Sequence, residues 1–185
     1  MYSVVKSIDL DFAHHVSGHM GECINIHGHT WRFELCIASE ELDPSTGFVA
    51  DFKLLRTRIL QPVHDLLDHA LLLPRETYDK AFPALEDLGR ILLSTRRDAR
   101  TLPRVTAELD GLSLQYPGGM KVVVAENFNP TSERLAEWFF RYASDRAGEL
   151  VEGRREPNIA PLQWVRVYES LHPVECYAEF CGVRD

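Results

Sequence analysis

The sequence is poor in cysteine and has no long apolar run, and each absence excludes a class of protein. Four cysteines without a Cys-x-x-Cys pair are too few for a disulfide-stabilised scaffold in a chain of 185 residues, so we expect reduced thiols. No apolar stretch approaches the length that spans a bilayer, and the first residues lack the apolar core of a signal peptide. We therefore expect a cytoplasmic protein with no membrane partner.

Positive charge is also in short supply. Twenty Lys and Arg residues stand against 28 Asp and Glu residues, which gives a formal net charge of −8. This balance lacks the basic surface that holds a phosphate backbone, so we expect no nucleic-acid partner. A hydrophobic content of 45% in 185 residues is enough for one domain with a sizeable core. The negative net charge is still compatible with a small anionic substrate, provided that basic residues cluster where it binds.

Three histidines in the first thirty residues form the most informative pattern. His27 and His29 flank Gly28 at the start of a strand-like run, where residues two apart share a face and the glycine has no side chain to block close approach. Imidazoles are zinc's preferred nitrogen ligands, and three leave a tetrahedral shell one position short, which indicates catalysis. The alternative is the ordinary role of isolated histidines as surface or hydrogen-bonded core residues. Spacing alone leaves three candidates for the third ligand: His14, His15 and His19.

Periodicity predicts two strands, a helix, a second helix and two more strands. The first helix has Asp51 as its N-cap, with a kink or an early break at Pro62. The segment Leu73 to Asn127 is too long for a plain connection, so we predict a helix and a short strand within it. These two elements are expected at Ala84–Arg97 and Lys121–Ala125. The other elements are the strands Val4–Ala13, Thr30–Leu42, Leu162–Tyr168 and Cys176–Val183, and a helix after Asn129–Glu133.

Six short motifs lie in order along both halves of the chain. They are Leu10–His14, Cys23–His29, Leu42–Phe52, Leu67–His69, Asn129–Glu133 and Tyr168–Ser170. Together they resemble the 6-pyruvoyltetrahydropterin synthase family, particularly its 6-carboxytetrahydropterin synthase branch of the queuosine pathway. The spacing from Cys23 to His27 resembles this branch more than the biopterin branch, whose corresponding segment is longer. Only the long segment between the two helices lies outside the pattern.

The resemblance implies a metal centre, a reactive thiol and a pterin anchor. Zinc would be held by His14, His27 and His29. Cys23 would accept a proton from the substrate as a thiolate, which a nearby cation favours. The alternative for Cys23 is a partly buried packing thiol. Glu169 would anchor the pterin, because a carboxylate can accept two hydrogen bonds from a 2-amino-pyrimidinone edge.

The resemblance also implies that Asp68 and His69 are the acid–base partners of the thiol. Adjacent residues on a regular helix do not face one another, whereas His64 with Asp68 and Asp65 with His69 have the i,i+4 separation. A surface network at the end of a helix is therefore the alternative interpretation of this motif.

The implied fold is the α+β tunnelling fold, with two helices on one face of a four-stranded antiparallel sheet. Subunits of that fold join their sheets into a barrel, so we expect a homo-oligomer built from trimers, with a hexamer as one form. Active sites would then lie between subunits. We expect a single domain over residues 1–185, with a family-atypical insertion at about 74–127.

The implied reaction converts 7,8-dihydroneopterin triphosphate to 6-carboxytetrahydropterin, with loss of triphosphate and no nicotinamide cofactor. One alternative is a divergent 6-pyruvoyltetrahydropterin synthase or another lyase that acts on a pterin side chain. A different class of alternative is a non-enzymatic, zinc-stabilised oligomer that binds a ligand or partner through the basic part of the insertion. That basic part consists of Arg96, Arg97, Arg100 and Arg104.

Overall fold

The computed structural model of the chain describes residues 1–96, 108–152 and 162–182. The chain divides into two compact units. Unit 1 consists of Met1–Leu10, Thr30–Asp65 and Ser132–Asp185, and unit 2 of Asp11–His29 and Leu66–Thr131. Arg97, Arg100 and Arg104 lie outside the described residues, so the basic part of the insertion stays a prediction. The expectation of a single domain also stays a prediction.

The described residues form eight strands and four α-helices. The strands are β1 (Tyr2–His14), β2 (His27–Ser39), β3 (Leu71–Pro74), β4 (Glu108–Leu109), β5 (Leu112–Gln115), β6 (Val122–Ala125), β7 (Leu162–Ser170) and β8 (Cys176–Cys181). The helices are α1 (Phe52–Leu55), α2 (Gln61–Leu67), α3 (Arg75–Ser94) and α4 (Ser132–Glu152). A π-helical turn, Arg56–Leu60, joins α1 to α2, and short 3-10 turns lie at Glu22–Ile24 and Pro117–Gly119.

Unit 1 is built on antiparallel pairing of β2 with β7 and of β7 with β8. Alternate residues of β2, including Trp31 and Phe33, are fully buried, as expected for a strand with one face on a core. Helix α4 packs its aromatic residues against this face, with the rings of Phe33 and Phe139 5.2 Å apart. The buried hydroxyl of Tyr142 donates to the Ile59 carbonyl at 3.2 Å. Each such fully buried side chain contributes roughly 1.5–3 kcal/mol.

The first helical segment confirms its predicted cap, since the Asp51 side chain accepts from the Lys53 amide at 2.7 Å. Pro62 does not end the helix. A π-helical turn precedes it, in which the Gln61 amide donates to the Arg56 carbonyl five residues back. A proline ring clashes with the carbonyl four residues before it in a regular α-helix, here that of Arg58. The wider turn before Pro62 gives that carbonyl room.

Unit 2 has a mixed arrangement of strands. The end of β1 pairs in parallel with β3, so that His14 is opposite Leu72, and β3 pairs in parallel with β6. Strands β6, β5 and β4 then pair antiparallel. Helix α3 covers a core made of five buried residues, namely Leu73, Tyr78, Leu85, Val122 and Val124.

The predicted four-stranded antiparallel sheet is wrong in both number and direction. Because β1 and β2 run through both units, the hydrogen-bonded order is β4-β5-β6-β3-β1-β2-β7-β8. The four extra strands, β3 to β6, all come from the segment that follows Asp68 and His69. The six family motifs do not cover this segment, so they could not predict its strands. Strand β6 is buried at every position, which is typical of a strand in parallel pairing. The strand predicted at Lys121–Ala125 is confirmed as β6, and the helix predicted at Ala84–Arg97 begins nine residues earlier, at Arg75.

None of the helices in the described part of the chain is both long and apolar enough to cross a membrane.

Gly89 is the point of closest approach between α3 and the turn at Pro117–Gly119. A Cβ atom on Gly89 would lie 2.4 Å from the Pro117 carbonyl oxygen and 3.0 Å from backbone atoms of Gly118. We expect Gly89→Ala to destabilise the protein by about 1–3 kcal/mol, because backbone atoms must move apart. Urea denaturation measures the change. Gly28→Ala is the matched control, since its Cβ would make only ordinary contacts at 3.5 Å or more; equal stability of the two variants would contradict the packing argument.

Candidate metal centre and acid–base pair

Three histidines of unit 2 come together at the junction of β1 and β2. His14 ends β1 and is fully buried, and His27 and His29 begin β2. One nitrogen from each ring lies within 4.8 Å of the others, so that the three could hold a metal ion. The ring centroids are 4.5 Å apart for His14 and His27, and 5.0 Å apart for His27 and His29. The structure therefore groups the three imidazoles that the resemblance implied as zinc ligands.

Backbone carbonyls fix which nitrogen of two rings carries the proton. Nδ1 of His14 lies 2.8 Å from the Pro130 carbonyl oxygen, and Nδ1 of His27 lies 2.9 Å from that of Asn25. A carbonyl oxygen can only accept, so each ring donates from Nδ1 and, when neutral, keeps a lone pair on Nε2. The two Nε2 atoms are 3.1 Å apart. Two lone pairs at this distance repel unless a proton or a cation lies between them, so this donor set fits a metal ion.

The other two histidines that spacing left open point elsewhere. Nδ1 of His15 donates to the Ile24 carbonyl at 2.7 Å, and Nδ1 of His19 accepts from the Gly21 amide at 3.0 Å. His14 is therefore the one of the three candidates that is grouped with His27 and His29.

The glycine between His27 and His29 is not required by lack of space. A Cβ atom at Gly28 would lie 3.5 Å from the Phe12 carbonyl oxygen and 3.7 Å from Cα of Ala13, which are ordinary van der Waals distances. An alanine has room at this position.

Asn129 and Pro130 contribute to the centre in a way that sequence reasoning missed, because their motif was interpreted as a helix start and a family signature without a role at the histidines. The Asn129 side chain accepts from the Ser17 amide at 2.9 Å and donates to the Ser17 carbonyl at 2.7 Å. This paired contact fixes the segment whose next carbonyl, that of Pro130, orients the ring of His14. One sequence signal could have indicated this role. It is the asparagine directly before a proline, in a motif far from any histidine.

Asp68 and His69 lie just beyond the end of α2, so helical spacing does not govern them. Nδ1 of His69 lies 2.9 Å from Oδ2 of Asp68. His69 has a φ of 57°, in the left-handed region, and its side chain is 81% exposed while that of Asp68 is 24% exposed. The carboxylate thus holds the Nδ1 proton of the imidazole and leaves Nε2 towards solvent. The adjacent residues face each other because the turn, and not a helix, positions them.

Three contacts of unit 2 hold this turn. The Asp11 amide donates to Oδ1 of Asp68 at 3.1 Å, and the Asp11 carbonyl accepts from the His69 amide at 2.7 Å. The Lys121 ammonium donates to the Asp68 carbonyl at 2.6 Å. A left-handed residue costs on the order of 1–2 kcal/mol, which these hydrogen bonds offset. Sequence reasoning gave Lys121 no role beyond the start of a strand, because a contact with a distant carbonyl has no local signature.

Cys23 lies in the 3-10 turn Glu22–Ile24 and is half-buried. The turn is tied to the loop that follows β1, since the Cys23 carbonyl accepts from the Val16 amide at 3.0 Å and the Ile24 carbonyl accepts from the His15 ring. The thiol therefore lies in a segment that hydrogen bonds hold in place. In the sequence this segment lies between His14 and the pair His27 and His29.

Glu169 belongs to unit 1 and lies one residue before the end of β7. Its side chain is half-buried, and the pairing of β7 with β8 shifts register between Tyr168 and Ser170. Irregularities of this kind re-aim a side chain from the regular alternation of a strand, and they occur frequently next to active sites.

Comparison with known proteins identifies the class to which this α+β fold and histidine group belong, the pterin synthases. A sequence profile of the 6-pyruvoyl tetrahydropterin synthase family matches residues 3–180, and the chain belongs to that family. The 6-carboxy-5,6,7,8-tetrahydropterin synthase of Bacillus subtilis is 32% identical over 133 residues, which cover 71% of this chain and 82% of that protein. The Rickettsia typhi protein of the same name is 27% identical over 137 residues, or 74% and 94% of the two chains.

Solved structures show that the fold is shared. An uncharacterized protein from Wolinella succinogenes matches with a TM-score of 0.68 and 22% identity, over 98% of each chain. The 6-pyruvoyl tetrahydropterin synthase of Caenorhabditis elegans matches with a TM-score of 0.55 and 16% identity, over 98% of this chain and 96% of that one. The recognised family is therefore confirmed, and the α+β architecture with it.

The histidine group generates a prediction about metal content. We expect the purified chain to retain zinc and His27→Ala to lose it, because removal of one of three nitrogen ligands leaves an incomplete site. The loss of affinity should exceed the roughly 10–100-fold that removal of an outer hydrogen-bond partner costs. Metal analysis after dialysis measures this. His15→Ala is the control and should keep its zinc; full zinc content in His27→Ala would count against the site.

The contact of Lys121 with the Asp68 carbonyl generates a second prediction. Lys121→Met keeps most of the side-chain length but removes the donor, so we expect a loss of about 1–3 kcal/mol in stability. Hydrogen exchange should also become faster at the His69 amide, because the turn is less tightly held. Lys80→Met is the control, because Lys80 is exposed and pairs with Glu76 one turn away on α3. Unchanged exchange at His69 in Lys121→Met would show that the ammonium does not hold the turn.

Proposed function

We propose that this chain is a zinc-dependent 6-carboxytetrahydropterin synthase that converts 7,8-dihydroneopterin triphosphate with loss of triphosphate. The observation that carries the proposal is the pair of Nε2 atoms of His14 and His27, 3.1 Å apart, with Nδ1 of each ring held by a carbonyl. The names of the curated relatives support the same reaction. His14, His27 and His29 would hold the zinc, which supplies polarisation of a substrate side-chain oxygen when it is bound.

The proton transfers fall to Cys23, His69 and Asp68. The Cys23 thiolate accepts a proton from the substrate side chain, the role that the family resemblance implies for this residue. His69 exchanges protons with the substrate through Nε2. Oδ2 of Asp68 lies 2.9 Å from Nδ1 of His69 and accepts its proton, which sets the tautomer.

Glu169 binds the pterin ring in this proposal. A carboxylate offers two acceptor oxygens, and the 2-amino group and ring N–H of a pterin edge offer two donors in a matching geometry. Loss of triphosphate and of part of the side chain then needs no nicotinamide, because the redox change is internal to the substrate.

We also propose that the protein works as a cytoplasmic homo-oligomer built from trimers, with active sites that residues of more than one subunit complete. Strand β8 is the last strand in the strand order, and the Tyr177 it carries is 48% exposed. Open strand edges are a physical reason for a chain to join its sheet to that of a neighbour.

The runner-up is a lyase that acts on a different pterin side chain. What favours it is the segment Leu71–Ala125, which adds β3 to β6 and α3 to the fold and contacts the acid–base pair through Lys121. A non-enzymatic zinc-stabilised oligomer is the remaining alternative, and the same experiment separates all three.

The test is product analysis with 7,8-dihydroneopterin triphosphate. We expect release of triphosphate and acetaldehyde together with 6-carboxytetrahydropterin. Cys23→Ala should lower kcat by about 10²–10⁴-fold, while zinc content and oligomer size stay close to those of the parent protein. Cys176→Ala is the control, because that thiol is exposed on β8. Unchanged substrate with intact zinc would favour the runner-up, and loss of folding with the metal would favour a structural role for the site.

A further inference from the structure

A polar groove of unit 1 is lined by residues to which the proposed reaction gives no role. It has a volume of about 280 Å³ and is lined by Lys6, Ser7, Ile8, Asp9, Arg32 and Arg56. Four of these residues are consecutive in β1, one lies on β2, and Arg56 is the first residue of the π-helical turn. The groove is therefore built from two strands and a helical turn, and not from a loop.

The charges in this groove do not balance. Arg32 and Asp9 neutralise each other through two hydrogen bonds, from Nε to Oδ1 at 2.7 Å and from Nη2 to Oδ2 at 3.0 Å. Lys6 and Arg56 make no ion pair with any residue of the described ranges. The residues that line the groove thus carry two more positive charges than negative ones, in a chain whose formal net charge is −8.

The Lys6 ammonium and the backbone of Arg56 are held in place. The Lys6 ammonium lies 5.7 Å from the centroid of the Phe52 ring, a favourable position for a cation over an aromatic face. Arg56 stands where α1 gives way to the π-helical turn, and its amide donates to the Phe52 and Lys53 carbonyls. Turns of this type interrupt helices frequently at functional sites. Cations held before the ligand arrives lose less entropy when it binds.

We propose that this groove binds a triphosphate, a ligand that matches two separate cations with a chain of linked anionic groups. A single carboxylate would need only one of them, and a nucleic-acid strand needs a far longer basic surface. The volume suits a small anion. The triphosphate has two sources, the substrate of the proposed reaction and the free inorganic anion, and the first of these rests on the proposed function.

The test uses inorganic triphosphate as the probe and isothermal titration of the full-length, zinc-loaded protein. We expect binding that weakens as salt rises from about 50 to 200 mM, because charge dominates it. The double variant Lys6→Gln/Arg56→Gln should bind at least about tenfold more weakly, since it loses both uncompensated charges. The double variant Lys80→Gln/Arg90→Gln on α3 removes the same net charge elsewhere and should bind like the parent protein.

Two results would overturn the proposal: no binding of inorganic triphosphate by the parent protein at millimolar concentration, or equal weakening in both double variants. Circular dichroism establishes that the variants are folded, and Lys6→Gln/Arg56→Lys should bind inorganic triphosphate more tightly than Lys6→Gln/Arg56→Gln.

Steady-state kinetics then distinguish the two sources. A raised KM for 7,8-dihydroneopterin triphosphate in Lys6→Gln/Arg56→Gln, with competitive inhibition of the parent by inorganic triphosphate, assigns the groove to the substrate. An unchanged KM with lost binding of inorganic triphosphate assigns it to the free anion. If the parent protein does not turn over this substrate, the proposed function fails, while the titration still decides whether the groove binds triphosphate.

Discussion

The repulsion between two imidazole lone pairs is the constraint on which the site depends. The carbonyls of Pro130 and Asn25 hold the Nδ1 protons of His14 and His27, so the Nε2 atoms face each other at 3.1 Å. Such an arrangement is costly for two neutral rings and favourable around a cation, because the same lone pairs become ligands. The chain therefore fixes the tautomers in advance of binding. A metal that enters the site finds the donor atoms oriented and loses little free energy to their rearrangement.

One strand pairing connects this centre to the acid–base pair. β1 and β3 run parallel, with Ala13 opposite Leu71 and His14 opposite Leu72. β3 begins two residues after His69, so the register that places the buried ligand also places the turn that carries the imidazole. A shift of one residue would turn His14 to the opposite face of the strand and would break the hydrogen bonds of Asp11 to the turn. The added strands β3 and β6 thus support the site directly.

The sequence predicted what local pattern encodes and missed what distant pairing decides. Strands β1 and β2 and the Asp51 cap were predictable, because alternation and capping act over a few residues. The spacing of the histidines indicated a metal site but left the third ligand open; the family resemblance implied His14, which the fold groups with His27 and His29. β3 has four apolar residues, too few for periodicity to distinguish a strand from a buried turn of helix. Lys121 was missed for another reason: its partner is a backbone carbonyl 53 residues away.

The proposal that an acidic chain acts on a triphosphate needs a physical explanation, because a net charge of −8 repels an anion at long range. Screening changes the balance: at physiological ionic strength the Debye length is about 8 Å, so most of the charges of a 21.1 kDa protein are not felt within one groove. The local potential decides. Lys6 and Arg56 supply two positive charges to the groove, where Asp9 is already paired with Arg32. The remaining acidic surface then repels long polyanions that would bind nonspecifically. Net repulsion and local attraction together favour a small, highly charged ligand over a long one.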